Sequence, residues 1–261
     1  MKIDLMNKTA MVGGASKGLG KAVAHQLAYC GASVTLLARD EVQLKEVIAS
    51  LPKNDSQNHQ YLVVDYTNLE HYKNTIDSFF ESNQIDILVN NTNGPNAGTV
   101  LNQSMMTYQS AFDLLFQTVV YTTTKALVGM QNNSWGRIIN MSSVTVKEPL
   151  AHLALSNSIR SALVSWGKTL ATEIAKHQIT VNNILTGYFD TERLNQIINK
   201  QSELNFISAI DIKSKMVNDI PTRRFGKPEE YGHLVAFLAS EYASYITGAS
   251  IPIDGGYLKS Y

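Results

Sequence analysis

Short apolar runs alternate along this chain with longer stretches in which apolar residues recur every three or four positions. The runs fall at residues 9–12, 33–38, 61–65, 85–90, 137–141, 180–185 and 249–253. Each has the length of a strand, and most of the segments between them can hold a crossover helix. Parallel neighbours require such crossovers, and the right-handedness of the connection restricts their order. The pattern therefore predicts an α/β fold, a doubly wound parallel sheet with helices on both faces. Residues 187–221 break the rhythm: they exceed ordinary loop length and show a helical pattern of their own around residues 192–200. This insert reads either as a lid over a ligand or as a packing or oligomer element.

Composition narrows the setting. The 261 residues suit one large domain better than two small ones, and a 44% hydrophobic share can fill its core. Basic and acidic side chains number 22 each, which leaves no basic field for nucleic acid and no cationic patch for a membrane. No run approaches the roughly 18 consecutive apolar residues of a membrane span. The first strand also begins too early for the apolar region of a signal peptide. The single cysteine, Cys30, has no internal partner and reads as a packed core thiol in a reducing compartment. A cytoplasmic protein acting on a small molecule is expected.

Candidate chemistry begins where the first strand ends. Thr9-Ala10-Met11-Val12 leads into Gly13-Gly14-Ala15-Ser16-Lys17-Gly18-Leu19-Gly20 and then a helical pattern over residues 21–30. Strand, glycine-rich turn and helix start together form a phosphate seat. Gly14 can take backbone angles closed to other residues, Gly18 admits a pyrophosphate close to the main chain, and Gly20 lets helix and strand approach. The free N–H groups of the helix start then face the anion. Ligands of such sheets bind beyond the carboxyl ends of the strands, where Ser16, Arg39, Asp65, Asn90 and Ser143 all fall. Arg39 follows the second strand, where an NAD site would place an acid. Arg39 and Lys17 both suit a 2′-phosphate, which favours NADP(H) over NAD(H), although Asp40 is placed to pair with Arg39.

The spacing Gly14-x-x-x-Gly18-x-Gly20 resembles the short-chain dehydrogenase/reductase family, and the resemblance spans essentially the whole chain. Asp65 is similar to the family's adenine contact, with Tyr66 beside it. Asn90-Asn91 is similar to its Asn-Asn-Ala-Gly segment, although Thr92-Asn93-Gly94-Pro95 then departs from it. Arg224-Phe225-Gly226-Lys227-Pro228-Glu229-Glu230, Thr247-Gly248 and Asp254-Gly255-Gly256 extend the match. The resemblance, of a 3-oxoacyl-(acyl carrier protein) reductase-like kind, implies one Rossmann-like NAD(P)-binding domain over residues 1–261. It implies a substrate lid at about 187–221 and a cofactor seat of Gly14, Ser16, Lys17, Gly18, Leu19, Gly20, Arg39, Asp65, Tyr66, Asn90 and Thr191, with Thr191 at the nicotinamide carboxamide. Helices around residues 105–130 and 156–176 resemble those that pair subunits in the family, which implies a homodimer or homotetramer.

The reaction is harder to assign than the cofactor. Ser143 matches the family serine that holds a substrate oxygen, but the family tyrosine and lysine are replaced by Ser156 and Arg160. The family asparagine of the preceding long helix is replaced by Leu115 or Phe116. An aliphatic hydroxyl titrates far above a phenol, and an arginine stays protonated, so this pair is a poor proton shuttle. Residues four apart still share a helix face, so Ser156 and Arg160 read either as one site or as decay of the family pair. The stretch Leu155-Ser156-Asn157 followed by Arg160 resembles that of some family members, which implies a divergent Ser-x-x-x-Arg subgroup. Three substitutes for the missing acid present themselves: His152, Tyr188, or an electrostatic site in which Arg160 and Ser143 stabilise an alkoxide while water supplies the proton. An oxidoreductase that moves hydride between NADP(H) and a carbonyl or secondary alcohol is the leading expectation. A nucleotide-binding sensor or partner subunit with little turnover, and a dehydratase or isomerase in the same pocket, stand as alternatives.

Overall fold

The computed structural model describes residues 2–260 and contains one seven-stranded sheet in the order β3-β2-β1-β4-β5-β6-β7, with every neighbouring pair parallel. The strands are β1 Thr9–Gly13, β2 Ser33–Ala38, β3 Gln60–Val63, β4 Ile87–Asn90, β5 Gly136–Met141, β6 Ile179–Thr186 and β7 Ser250–Ile253. All seven predicted runs are strands. Three are shorter than the apolar pattern suggests, β7 by one residue. β3 ends before Asp65, and β4 begins after Asp86, whose carboxylate accepts Thr9 N–H at 2.8 Å. The chain order reverses between β1 and β4, which opens a crevice at their carboxyl ends, the place where such sheets hold ligands.

Successive strand residues supply opposite faces. Val12, Leu36 and Ile139 enter one core with helices α1 Gly18–Tyr29, α2 Glu41–Ser50 and α9 Pro228–Ala239. Met11, Leu37 and Ile138 enter the other with α3 Leu69–Phe80, α5 Thr118–Asn132 and α6 Ala154–Ile174. Cys30 is buried in the first core, where it accepts a bond from Gln26 Nε2 at 3.5 Å and burial raises its thiol pKa, so it is a packing residue.

Two local features depart from the sequence pattern. The long helix expected over residues 105–130 is α4 Met105–Phe112 joined to α5 by a π-helical turn, Asp113–Gln117. The insert holds two helices, α7 Glu192–Asn205 and α8 Ala209–Asp219, around Leu194, Ile198, Ile212, Ile220 and Phe225. Among the described residues no helix is long and apolar enough to cross a membrane.

Candidate active site

The crevice is lined first by backbone. Gly14 and Gly18 take φ of +55° and +56°, angles that L side chains rarely adopt. A Cβ on Gly20 would lie 2.2 Å from Gly14 O, so only glycine allows α1 to start this close to the loop. Asn91 Nδ2 donates to Gly13 O at 3.0 Å and braces the loop from β4, while Ala15 N donates to Leu37 O at 3.1 Å and ties it to β2. Lys17 occupies the N-cap of α1 with extended backbone, and its side chain makes no capping bond. The first N–H groups of α1 are thus left to face the crevice, with Ser16 and Leu19 half-buried beside them. This cradle, which a Cβ would fill, fits a diphosphate.

At the end of β2, Arg39 is exposed and makes no ion pair among the described residues. Asp40 instead caps α2 by accepting Gln43 N–H at 3.1 Å. Asp65 accepts Thr67 N–H at 2.9 Å and Thr67 Oγ1 at 2.7 Å, and these bonds, with a smaller contribution from Arg39, hold its carboxyl below the usual range. Tyr66 is buried, and a Cβ on Gly13 would meet its hydroxyl at 2.9 Å. Its ring lies 5.1 Å from that of Tyr72 at a tilt of 34°, and its side chain supports the glycine loop from beneath.

Asn90 belongs to a buried amide ladder that sequence reasoning did not find. Its Nδ2 donates to Thr123 Oγ1 at 3.1 Å and to Asn140 Oδ1 at 2.9 Å, and Asn140 Nδ2 donates to Asn183 Oδ1 at 3.0 Å. The three residues are register partners across β4, β5 and β6. Gly167 of α6 packs directly on them: a Cβ there would lie 2.9 Å from Asn183 Oδ1. The signal available in the sequence was an asparagine interrupting each of three apolar runs.

Beyond β5 lies the altered corner. Ser143 is half-buried, and its Oγ accepts Thr145 N–H at 3.2 Å, capping a short helical turn. On α6, Arg160 Nε donates to Ser156 Oγ at 3.3 Å, and Nη1 donates to Met141 O at 2.7 Å. The guanidinium is thereby fixed between the end of β5 and Ser156. Its remaining N–H donors have no protein acceptor among the described residues. Burial lowers the Arg160 pKa, with Tyr231 opposing the shift, yet an arginine starts high enough to stay charged at neutral pH.

The substitutes for a proton donor fare differently. His152 is exposed, and its contribution is a carbonyl that accepts Gly98 N–H at 2.8 Å, tying the loop after β4 to the start of α6. Tyr188 packs edge-on to Tyr257 with ring centres 5.3 Å apart and lies 6.5 Å from Phe225; burial raises its phenol pKa. Leu115 and Phe116 both lie in the π-helical turn, Leu115 buried and Phe116 stacked 4.8 Å from Phe112.

The insert reaches the glycine loop. Thr191 caps α7 by accepting Leu194 N–H at 3.3 Å, and its Cγ2 would lie 3.7 Å from a Cβ on Gly18. The next residue, Glu192, pairs with Lys17, Oε2 to Nζ at 2.9 Å. Sequence reasoning missed this pair, because nothing in a linear pattern places residue 192 beside residue 17.

Comparison with known proteins agrees with this geometry. A family model described as enoyl-(acyl carrier protein) reductase matches residues 14–258. The chain is 31% identical over 258 residues to the NADPH-dependent reductase BacG of Bacillus subtilis, covering 98% of this chain and 100% of that protein. It is 28% identical over 257 residues to the 3-oxoacyl-[acyl-carrier-protein] reductase FabG of Aquifex aeolicus, covering 98% and 99% of the two chains. The crystal structure of L-sorbose reductase from Gluconobacter frateurii, complexed with NADPH and L-sorbose, superimposes with a TM-score of 0.92 at 30% identity, covering 100% of both chains.

Proposed function

The chain belongs to the short-chain dehydrogenase/reductase family, and from that premise we propose that it is an NADP(H)-dependent reductase whose carbonyl-polarising group is a guanidinium in place of a phenol. The observation that carries the reading is Arg160, held by Ser156 and Met141 O with donors to spare at the position of the family's proton-transfer machinery.

The seat for the cofactor follows from the crevice. Its diphosphate fits the N–H groups at Gly18, Leu19 and Gly20, with Ser16 beside them. Arg39 and Lys17 supply cations for the 2′-phosphate, Asp65 lies toward the adenine, and Thr191 toward the carboxamide. When bound, the cofactor supplies the hydride. Ser143 Oγ, which accepts from Thr145 N–H and Thr145 Oγ1, keeps its own proton to donate to the substrate oxygen and so positions it. Arg160 then faces the negative charge that gathers on that oxygen. An oriented donor of this kind typically contributes about a hundred- to a thousandfold in rate. Proton transfer falls to water, because Ser156 has no accessible pKa and Arg160 does not release its proton. The insert covers the substrate as a lid, with Tyr188, Phe225 and Tyr257 forming an apolar wall at its base.

A second reading takes a conjugated double bond next to a carbonyl as the target. The absence of a phenol favours it, since the charge then arriving at the oxygen is that of an enolate, a weaker base than an alkoxide. A cation alone stabilises it, and the proton goes to carbon. The description of the matching family model points the same way. The exposed Met105 and Met106 at the start of α4, with Leu101 in the turn before it, fit pairing with a second copy, as a homodimer or homotetramer in the cytoplasm.

The test is NADPH consumption against ketones, diketones, 3-oxoacyl thioesters and 2-enoyl thioesters, run beside Ser156→Tyr/Arg160→Lys. Turnover by the wild type that the double variant does not improve supports the proposal. Turnover confined to the enoyl substrates selects the second reading. NADPH binding with turnover only in the variant shows a nucleotide binder without its own redox reaction.

A further inference from the structure

We infer that Glu192 sets cofactor selectivity: by holding Lys17 against the insert, it weakens recognition of the 2′-phosphate that separates NADPH from NADH. The inference rests on the NADP(H) reading above and adds a residue outside the cofactor seat.

Lys17 is the one cation inside the glycine loop, and its backbone position is fixed by the N-cap geometry of α1. Its side chain makes no capping bond and reaches across to Glu192 Oε2 at 2.9 Å, with the two side chains 56% and 63% exposed. Glu192 opens the first turn of α7, and the side chain of its neighbour Thr191 faces Gly18, where an added Cβ would lie 3.7 Å from Thr191 Cγ2. The insert therefore faces the loop at two adjacent points and is bonded to it at one, the ion pair. Arg39, the other cation at this end, is exposed and unpaired among the described residues, and its field reaches Asp65.

A 2′-phosphate thus meets two unequal cations. Arg39 is available at once, whereas Lys17 is available only after its carboxylate partner is displaced. The carboxylate also adds a like charge near the incoming dianion. NADH carries a hydroxyl at that point and is indifferent to both effects. Exposed ion pairs are weak, so the selectivity effect is a few-fold and grows as salt is removed. It also links the ends of the site: a phosphate that captures Lys17 releases the ion pair between the insert and the glycine loop.

The experiment is equilibrium titration of NADPH, NADH, 2′,5′-ADP and 5′-AMP with the wild type, Glu192→Gln, Lys17→Gln and the double variant, at low and physiological salt. 2′,5′-ADP reports the adenosine end alone. The expected result is that Glu192→Gln tightens NADPH and 2′,5′-ADP about two- to fivefold at low salt. NADH and 5′-AMP stay the same, and the gain disappears in the Lys17→Gln background. A gain shared by NADH, a gain that survives without Lys17, or no change at low salt overturns the inference while the cofactor reading stands. A wild type that binds NADH as tightly as NADPH overturns both.

Discussion

Along the carboxyl edge of the sheet, the loops after β1 and β2 and the corner after β5 are built from different materials. The nucleotide side is a backbone device: Gly14 and Gly18 at positive φ, Gly20 against Gly14 O, and an open helix start. The reaction side is a side-chain device, Ser143, Ser156 and Arg160, mounted on an equally regular strand and helix. Backbone constraints admit almost no alternative residue: Gly14 and Gly18 require positive φ, and a carbon added at Gly20 collides with Gly14 O. Side chains on a helix face can be exchanged without disturbing the helix. A reductase fold can therefore keep its cofactor seat unchanged while the group that handles the substrate oxygen is replaced.

That contrast can be broken most severely at Gly20. Gly20→Ala puts a Cβ 2.2 Å from Gly14 O. It is expected to abolish measurable NADPH binding and to destabilise the fold by about 1–3 kcal/mol, as read by fluorescence titration and thermal melts. Retained affinity would show that the seat is less rigid than its geometry.

The amide ladder joins the two sides. Asn140→Ala leaves Asn90 without one acceptor and Asn183 without its donor in a buried layer. A loss of about 1–3 kcal/mol is expected in denaturant unfolding, the cost of leaving Asn183 Oδ1 without its donor, because Asn90 Nδ2 keeps Thr123 Oγ1. A change within experimental error would reduce the ladder to packing.

The smallest effect concerns the junction of the insert with α9. Glu230 pairs with both Arg224 nitrogens, at 2.6 Å and 2.8 Å, and accepts Lys227 N–H at 2.7 Å. The Arg224 bond chiefly, with Lys227 N–H, lowers its pKa from 4.5 to about 2. A depressed carboxyl pKa stabilises the folded state above pH 4.5, and that contribution is lost as pH falls toward 2. Glu230→Gln is therefore expected to lower Tm slightly at neutral pH, by an amount limited by solvent exposure. The difference from wild type should fade over the acid window. A constant difference down to pH 2 would assign the effect to packing.

Much of this architecture was legible because it is local. All seven strands were visible as apolar runs, and the glycine spacing marked its own turn. The π-helical turn was not, since Asp113–Gln117 continues the helical pattern of its neighbours. Nor was α8, whose apolar residues Ile212 and Ile220 acquire meaning only when they meet Leu194 and Ile198 of α7. The site divided the same way. Ser143, Ser156 and Arg160 could be located by counting along the chain, but the bond from Arg160 to Met141 O depends on how α6 lies against β5. The Asn90–Asn140–Asn183 ladder required the register of three strands, and Lys17–Glu192 required the placement of the insert.

The central claim is that Arg160 replaces the phenol in handling the substrate oxygen. Its most direct test is the single-turnover rate of NADPH oxidation by Arg160→Gln, measured with a substrate that the wild type reduces and set beside NADPH affinity. The account predicts affinity within about twofold of wild type and a rate lower by about a hundred- to a thousandfold. A variant that transfers hydride as fast as the wild type, or that loses rate only in proportion to lost cofactor binding, would contradict it.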